Sequence, residues 1–155
     1  MKVTVVGIYV WRGKAHLPVQ GQFESGIYVD LEPVYVAELM LDGLMAAVQK
    51  VVAAGIPRLP EPTEEEWRKR KSPILTATKA RNWKELARAG ASYDIVWRET
   101  QIRVNMSRLD KQGRWEFDPT KVRTFPPDTP LEDVMAVILA DIRTRPEVWE
   151  GATAK

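Results

Sequence analysis

Between Tyr93 and Ser107 the chain alternates with a period of two. Tyr93, Ile95 and Trp97 interleave with Asp94, Val96 and Arg98; after Glu99-Thr100-Gln101, the apolar Ile102, Val104 and Met106 interleave with Arg103, Asn105 and Ser107. Successive strand residues point to opposite faces, so this stretch reads as an antiparallel hairpin with one apolar and one wet side. An apolar sheet face must be covered by another layer.

Two segments are fit to cover it. Pro33 suits the first turn of a helix, because its missing N–H has no partner to lose there, and a helix from Pro33 to Ala54 would end at Gly55 with Pro57 beyond. Leu41, Leu44, Met45, Val48, Val51 and Val52 fall on one face of it. Near the C-terminus, Thr129 and Glu132 have capping-box spacing, Pro130 takes the first helical position, and Leu131, Val134, Ile138 and Ile142 form a buried stripe.

Further strands are expected over residues 2–11, rich in Val, Ile and Tyr, and at 27–31, 74–78, 114–117 and 122–125, with Asp110-Lys111-Gln112-Gly113 as a turn. Thr63 with Glu66 forms a capping box for a short helix that Ser72-Pro73 stops; Asn82 with Glu85 opens another that ends at Gly90. The order of elements predicts an α+β two-layer sandwich, a mainly antiparallel sheet carrying the long central helix and the C-terminal helix on one face. At 155 residues the chain has the size of one domain, expected over residues 1–150 with a frayed tail at 151–155.

Composition narrows the chemistry. With no Cys and one His, thiolate zinc sites, iron–sulfur clusters, disulfide scaffolds and cysteine nucleophiles are excluded, and no metal or other cofactor is expected. The phosphate loop, the dinucleotide-binding turn and the nucleophile elbow are missing. No signal peptide or membrane-spanning run is legible, so a cytoplasmic location is expected. The sequence therefore reads as non-enzymatic.

One alternative is a hydrolase or nuclease centred on the long segment 12–26. It would hold His16 in an exposed loop, with Glu24 and Ser25 opposite if the two arms of the loop pair. The carboxylates Asp30, Glu32 and Asp94 would serve a metal-dependent nuclease only if they met. A second alternative is a nucleic-acid-binding module. Residues 67–88 gather Arg68, Lys69, Arg70, Lys71, Lys79, Arg81, Lys84 and Arg88 around Trp67 and Trp83. Three of these cations have favourable i, i+4 glutamates in Glu64, Glu65 and Glu66, which leaves Lys71, Lys79, Arg81 and Arg88 for a phosphate backbone.

Of the 6 Trp, Trp97 and Trp83 read as core or core edge. Trp11 and Trp115 stand at element ends beside Arg12 and Arg114, the pairing of types that protein interfaces enrich. The reading that results is a non-enzymatic protein-interaction module, accessory or immunity-type, that binds a protein partner or a second copy of itself through Trp11, Arg12, Arg114 and Trp115.

Overall fold

A computed structural model describes residues 3–149; the tail at 151–155 lies outside the described residues. The chain forms one sheet of eight strands in the order β3-β2-β1-β5-β6-β7, with β4 beside β2 and β8 beside β6. The strands are β1 (Thr4–Trp11), β2 (Lys14–Phe23), β3 (Tyr28–Glu38), β4 (Arg58–Leu59), β5 (Gly90–Trp97), β6 (Ile102–Leu109), β7 (Trp115–Phe117) and β8 (Arg123–Phe125). All pairings are antiparallel except the two-residue β2–β4 contact. The helices are α1 (Leu41–Ala54), α2 (Glu64–Lys69), α3 (Pro73–Thr78), α4 (Trp83–Ala89), α5 (Leu131–Arg143) and α6 (Pro146–Trp149). This is the expected α+β sandwich.

The main core lies between the sheet and the pair α1 and α5. Val6, Ile8 and Val10 of β1 and Tyr93, Ile95, Ile102 and Val104 of the hairpin meet Leu44, Val48 and Val51 of α1 and Val134, Ile138 and Ile142 of α5. Val52, assigned above to the buried face of α1, is exposed. A polar node fastens α5 to the sheet, where the Tyr93 hydroxyl and the Lys121 ammonium both donate to the Asp141 carboxylate, at 2.6 and 2.8 Å. Burial and that carboxylate together push the Tyr93 phenol well above its usual range.

Residues that alternate with the main core point the other way. Tyr9 and Trp11 of β1 join a second, smaller cluster with Ile74 of α3, Leu86 of α4 and Trp115 of β7. The short helices thus cover the β2–β3 side of the far face, where His16 and Gln20 are buried, and leave Gly7 of β1, Asp94 of β5 and Arg103 and Asn105 of β6 partly exposed.

Four sequence expectations need correction. The segment 12–26 is not a loop: Arg12 and Gly13, both at positive φ (51° and 76°), make a two-residue turn straight into β2. The helix expected from Pro33 begins only at Leu41, because Val34-Tyr35-Val36 continue β3; Pro33 is tolerated where the β2–β3 register shifts, between the pairs Pro18–Val34 and Val19–Leu31. Residues 74–78 are helical. Ser72-Pro73 starts a helix there: Ser72 Oγ accepts the Leu75 N–H at 3.2 Å and Pro73 supplies the first helical position. At α5 the N-cap residue is Pro130 with no side-chain cap, and the Thr129 hydroxyl donates back to the Pro126 carbonyl. The capping box at Thr63 and Glu66, the Asn82 cap and the Gly113 turn at φ 79° all form as expected.

Candidate functional site

The open side of the sheet is built by the odd-numbered residues of β1 and whatever the register sets beside them. Tyr9 stands opposite His16 on β2 and Ser92 on β5, and Gly7 stands opposite Asp94. The Tyr9 hydroxyl donates to Asp30 of β3 at 2.9 Å, and the Gln20 amide donates to the other carboxylate oxygen at 2.5 Å. Across the sheet, Asn105 donates to Asp94 at 2.6 Å and receives the Arg103 guanidinium at 2.8 Å. Burial and the charges of Asp30 and Asp94 push the Tyr9 phenol far up, so it remains a hydrogen-bond donor at all physiological pH. Asp94 itself is raised by burial, against the pull of Asn105 and Arg103.

Aromatic rings lie across these polar groups. Tyr9 packs against Trp83 of α4 and Trp115 of β7, with ring centroids 5.8 and 5.9 Å apart, and the two indoles meet edge-on at 6.3 Å. Beyond them Phe117 sits under the Arg103 guanidinium. Trp83 is 41% exposed and Phe117 46%. The Trp115 ring is half-buried, and among the described residues its indole N–H has no acceptor. On the other side of Tyr9 a hollow of about 460 Å³ is bounded by Tyr28, Asp30, Trp67, Arg70 and Trp83. The guanidinium of Arg70 donates there to the Asp30 carbonyl. Tyr9, Gln20 and Phe117 escaped the sequence reading; the only signal for Tyr9 was its place between Ile8 and Val10 in a strand of period two.

The residues singled out from the sequence fall into two places. Trp115 belongs to the aromatic row. Trp11 and Arg12 do not; they line a separate cleft of about 420 Å³ with Arg81, Glu85, Arg88 and Ala89. Two of the four cations assigned to a phosphate backbone thus meet two of the four residues assigned to a protein partner. Arg81 has a local partner after all, the Glu85 carboxylate at 2.6 Å, and Lys71 and Lys79 do not line this cleft. Arg114 pairs with Asp110 at 3.4 Å in the β6–β7 turn. Of the three expected i, i+4 pairs on α2, Glu65 with Lys69 forms at 2.8 Å. Glu66 is taken by the capping box and Arg70 by Asp30.

His16 is where the structure departs furthest from the sequence reading. It is buried within β2, its Nδ1–H donates to the Tyr9 carbonyl at 3.2 Å, and burial lowers its pKa. Glu24 and Ser25 lie beyond the other end of the strand, about 26 Å away at strand rise. No acid–base pair can form between them. Asp30 and Asp94 do share a face, on either side of Tyr9, but among the described residues no three His, Asp or Glu side chains converge on a common point.

The sign of the His16 contribution is fixed. The unfolded chain takes up a proton near pH 6.5 and the folded chain resists it, so stability is full above that pH and falls as the medium is acidified through it. His16→Gln is expected to flatten that loss. The check is the urea midpoint of both proteins at about pH 7.5 and pH 5.5; an equal acid shift in the two would remove His16 as the cause.

Comparison with known proteins gives a fold. No protein-family model matches the chain, and no curated protein matches its sequence. Among solved structures, a protein of unknown function from Neisseria meningitidis has a TM-score of 0.65 at 15% identity, over 92% of this chain and 95% of its own. One chain of a CdiA-CT/CdiI toxin and immunity complex from Yersinia pseudotuberculosis has a TM-score of 0.60, also at 15% identity, over 92% of this chain and 98% of its own. Likeness at that identity establishes a shared architecture. No described helix is long and apolar enough to cross a membrane.

Proposed function

We propose that the protein is an immunity-type interaction module, which binds a toxic protein partner with the open side of its sheet. The observation that carries this reading is the aromatic row Trp83, Tyr9 and Trp115, continued by Phe117 and set among hydrogen-bonded polar groups already held in place. Exposed aromatic rings and Arg side chains concentrate at protein interfaces because they bury large rigid area at small entropic cost. A strand face fixed by cross-strand hydrogen bonds loses little further freedom on docking. The whole-length likeness to a chain of a toxin and immunity complex supports the same reading. A nucleic-acid partner has less support, since the cations assigned to it are split between sites and Arg81 is paired.

The test is co-expression with the product of the adjacent gene. The expected result is relief of a growth arrest that the neighbour causes alone, and a stoichiometric complex by light scattering. Trp83→Ala with Phe117→Ala should weaken that complex by about 30-fold or more, the size of an interface hot spot, while Tm moves only a few degrees. A harmless neighbour that forms no complex would overturn the reading.

A further inference from the structure

The cleft between the β1–β2 turn and α4 is a built cationic site, distant in sequence and close in space. Arg12 is held in position twice over: its backbone sits at φ 51° in a two-residue turn, and its guanidinium lies over the Trp11 ring, 4.3 Å from the centroid. Arg81, just before the Asn82 N-cap of α4, and Arg88, in the last turn of α4, line the cleft with it, and Ala89 adds an apolar wall. Glu85 is the one carboxylate lining the cleft, and it is taken by Arg81. Among the described residues neither Arg12 nor Arg88 has a carboxylate within ion-pair distance. Lys84, on the neighbouring surface of α4, adds a further positive charge. Two planar guanidinium forks with no carboxylate at ion-pair distance among the described residues, one of them stacked on an indole, are suited to a carboxylate.

We infer that this cleft receives an acidic segment of the protein partner, with Arg12 and Arg88 gripping its carboxylates. The inference rests on the interaction reading above and names the chemistry of one contact in it. A nucleic-acid strand fits less well. Trp11 is buried beneath Arg12 and presents no face for a base to stack on. Lys71 and Lys79 do not extend the cleft into a track for a backbone.

The experiment is a titration of the isotopically labelled protein, followed by NMR, with three probes: an acetylated and amidated Asp-Glu hexapeptide, its Asn-Gln counterpart, and hexauridylate. The expected result is a shift of the Trp11 indole N–H and of the signals of Arg12 and Arg88 with the acidic peptide. Its affinity should be about tenfold or more above that of the amide peptide, and should fall as salt rises. Arg12→Asn combined with Arg88→Gln should remove that advantage; Asn is chosen because it accepts positive φ, and the rest of the spectrum reports whether the variant is folded. Equal binding of the amide peptide, tighter binding of hexauridylate, or an unchanged affinity in the folded double variant would overturn the inference. A failed titration beside an intact complex with the neighbouring gene product overturns this cleft alone; a positive titration without any such complex overturns the partner reading instead.

Discussion

Gly90→Ala is expected to destabilise the fold by about 3 kcal/mol or more, a fall in Tm of roughly 6–12 °C for a chain of this length. The backbone there is ordinary, with φ at −124°, so conformational freedom is not the issue. Space is. A methyl group on Gly90 would stand 2.5 Å from the Leu86 carbonyl oxygen and 2.7 Å from that of Val10. Both are backbone atoms fixed by a helix and a strand, and neither can swing aside as a flexible side chain would. The substitution must part α4 from β1, the two elements that carry Arg88 and Trp11. A Tm within about 2 °C of the parent, a shift worth under roughly 1 kcal/mol, would show that the junction gives way easily. If the partner contacts α4, affinity should fall along with stability in this variant, unlike in the surface variants.

Ile138→Ala is the second large effect. Ile138 is fully buried on the face of α5 turned to the sheet, within the cluster that also holds Val48 and Val51 of α1. Truncation removes the transfer energy of three carbons and leaves a cavity between two rigid layers, a loss of about 2–5 kcal/mol. Ile138→Val should cost only about 0.5–1.5 kcal/mol, and the urea midpoints of the pair would separate cavity formation from a general intolerance of change at the site. Near-equal losses in the two would argue against the cavity.

The parts of this fold legible in the sequence are those whose signal is local. The alternation in β5 and β6, the stripe of α5, the Thr63–Glu66 capping box and the Gly113 turn depend on neighbours a few residues apart, and each formed where expected. β2 carried a local signal too, Ala15, Leu17, Val19 and Phe23 alternating with His16, Gln20 and Gln22, but Pro18 and the glycines at 13, 21 and 26 made the segment read as a loop. In the fold seven consecutive residues from Ala15 to Gly21 are buried, so both faces of the strand are covered. Its polar members His16 and Gln20 are tolerated only because Tyr9 and Asp30 arrive from other strands to satisfy them. Pro33 and Pro73 show the ambiguity of proline: one reads as a helix start and lies in a strand, the other reads as a stop and begins a helix. The candidate site divides the same way. Trp115 and Arg12 could be noticed as an aromatic and a cation at element ends, but the meeting of Arg12 with Arg81 and Arg88 is made by topology, across 69 and 76 positions of chain.

The Arg12-Gly13 turn has a second attachment. The Gly13 N–H donates to the Val148 carbonyl at 3.1 Å, and the Val148 side chain is wholly enclosed against β1 and β5. The last described helix is therefore a latch on the turn of the first hairpin. A fusion partner hung beyond residue 149 would load the latch, and with it the hairpin that presents Arg12, whereas an insertion between β5 and β6 at Glu99-Thr100 would load neither. Which end of the molecule carries a tag is thus a mechanical choice as well as a convenience.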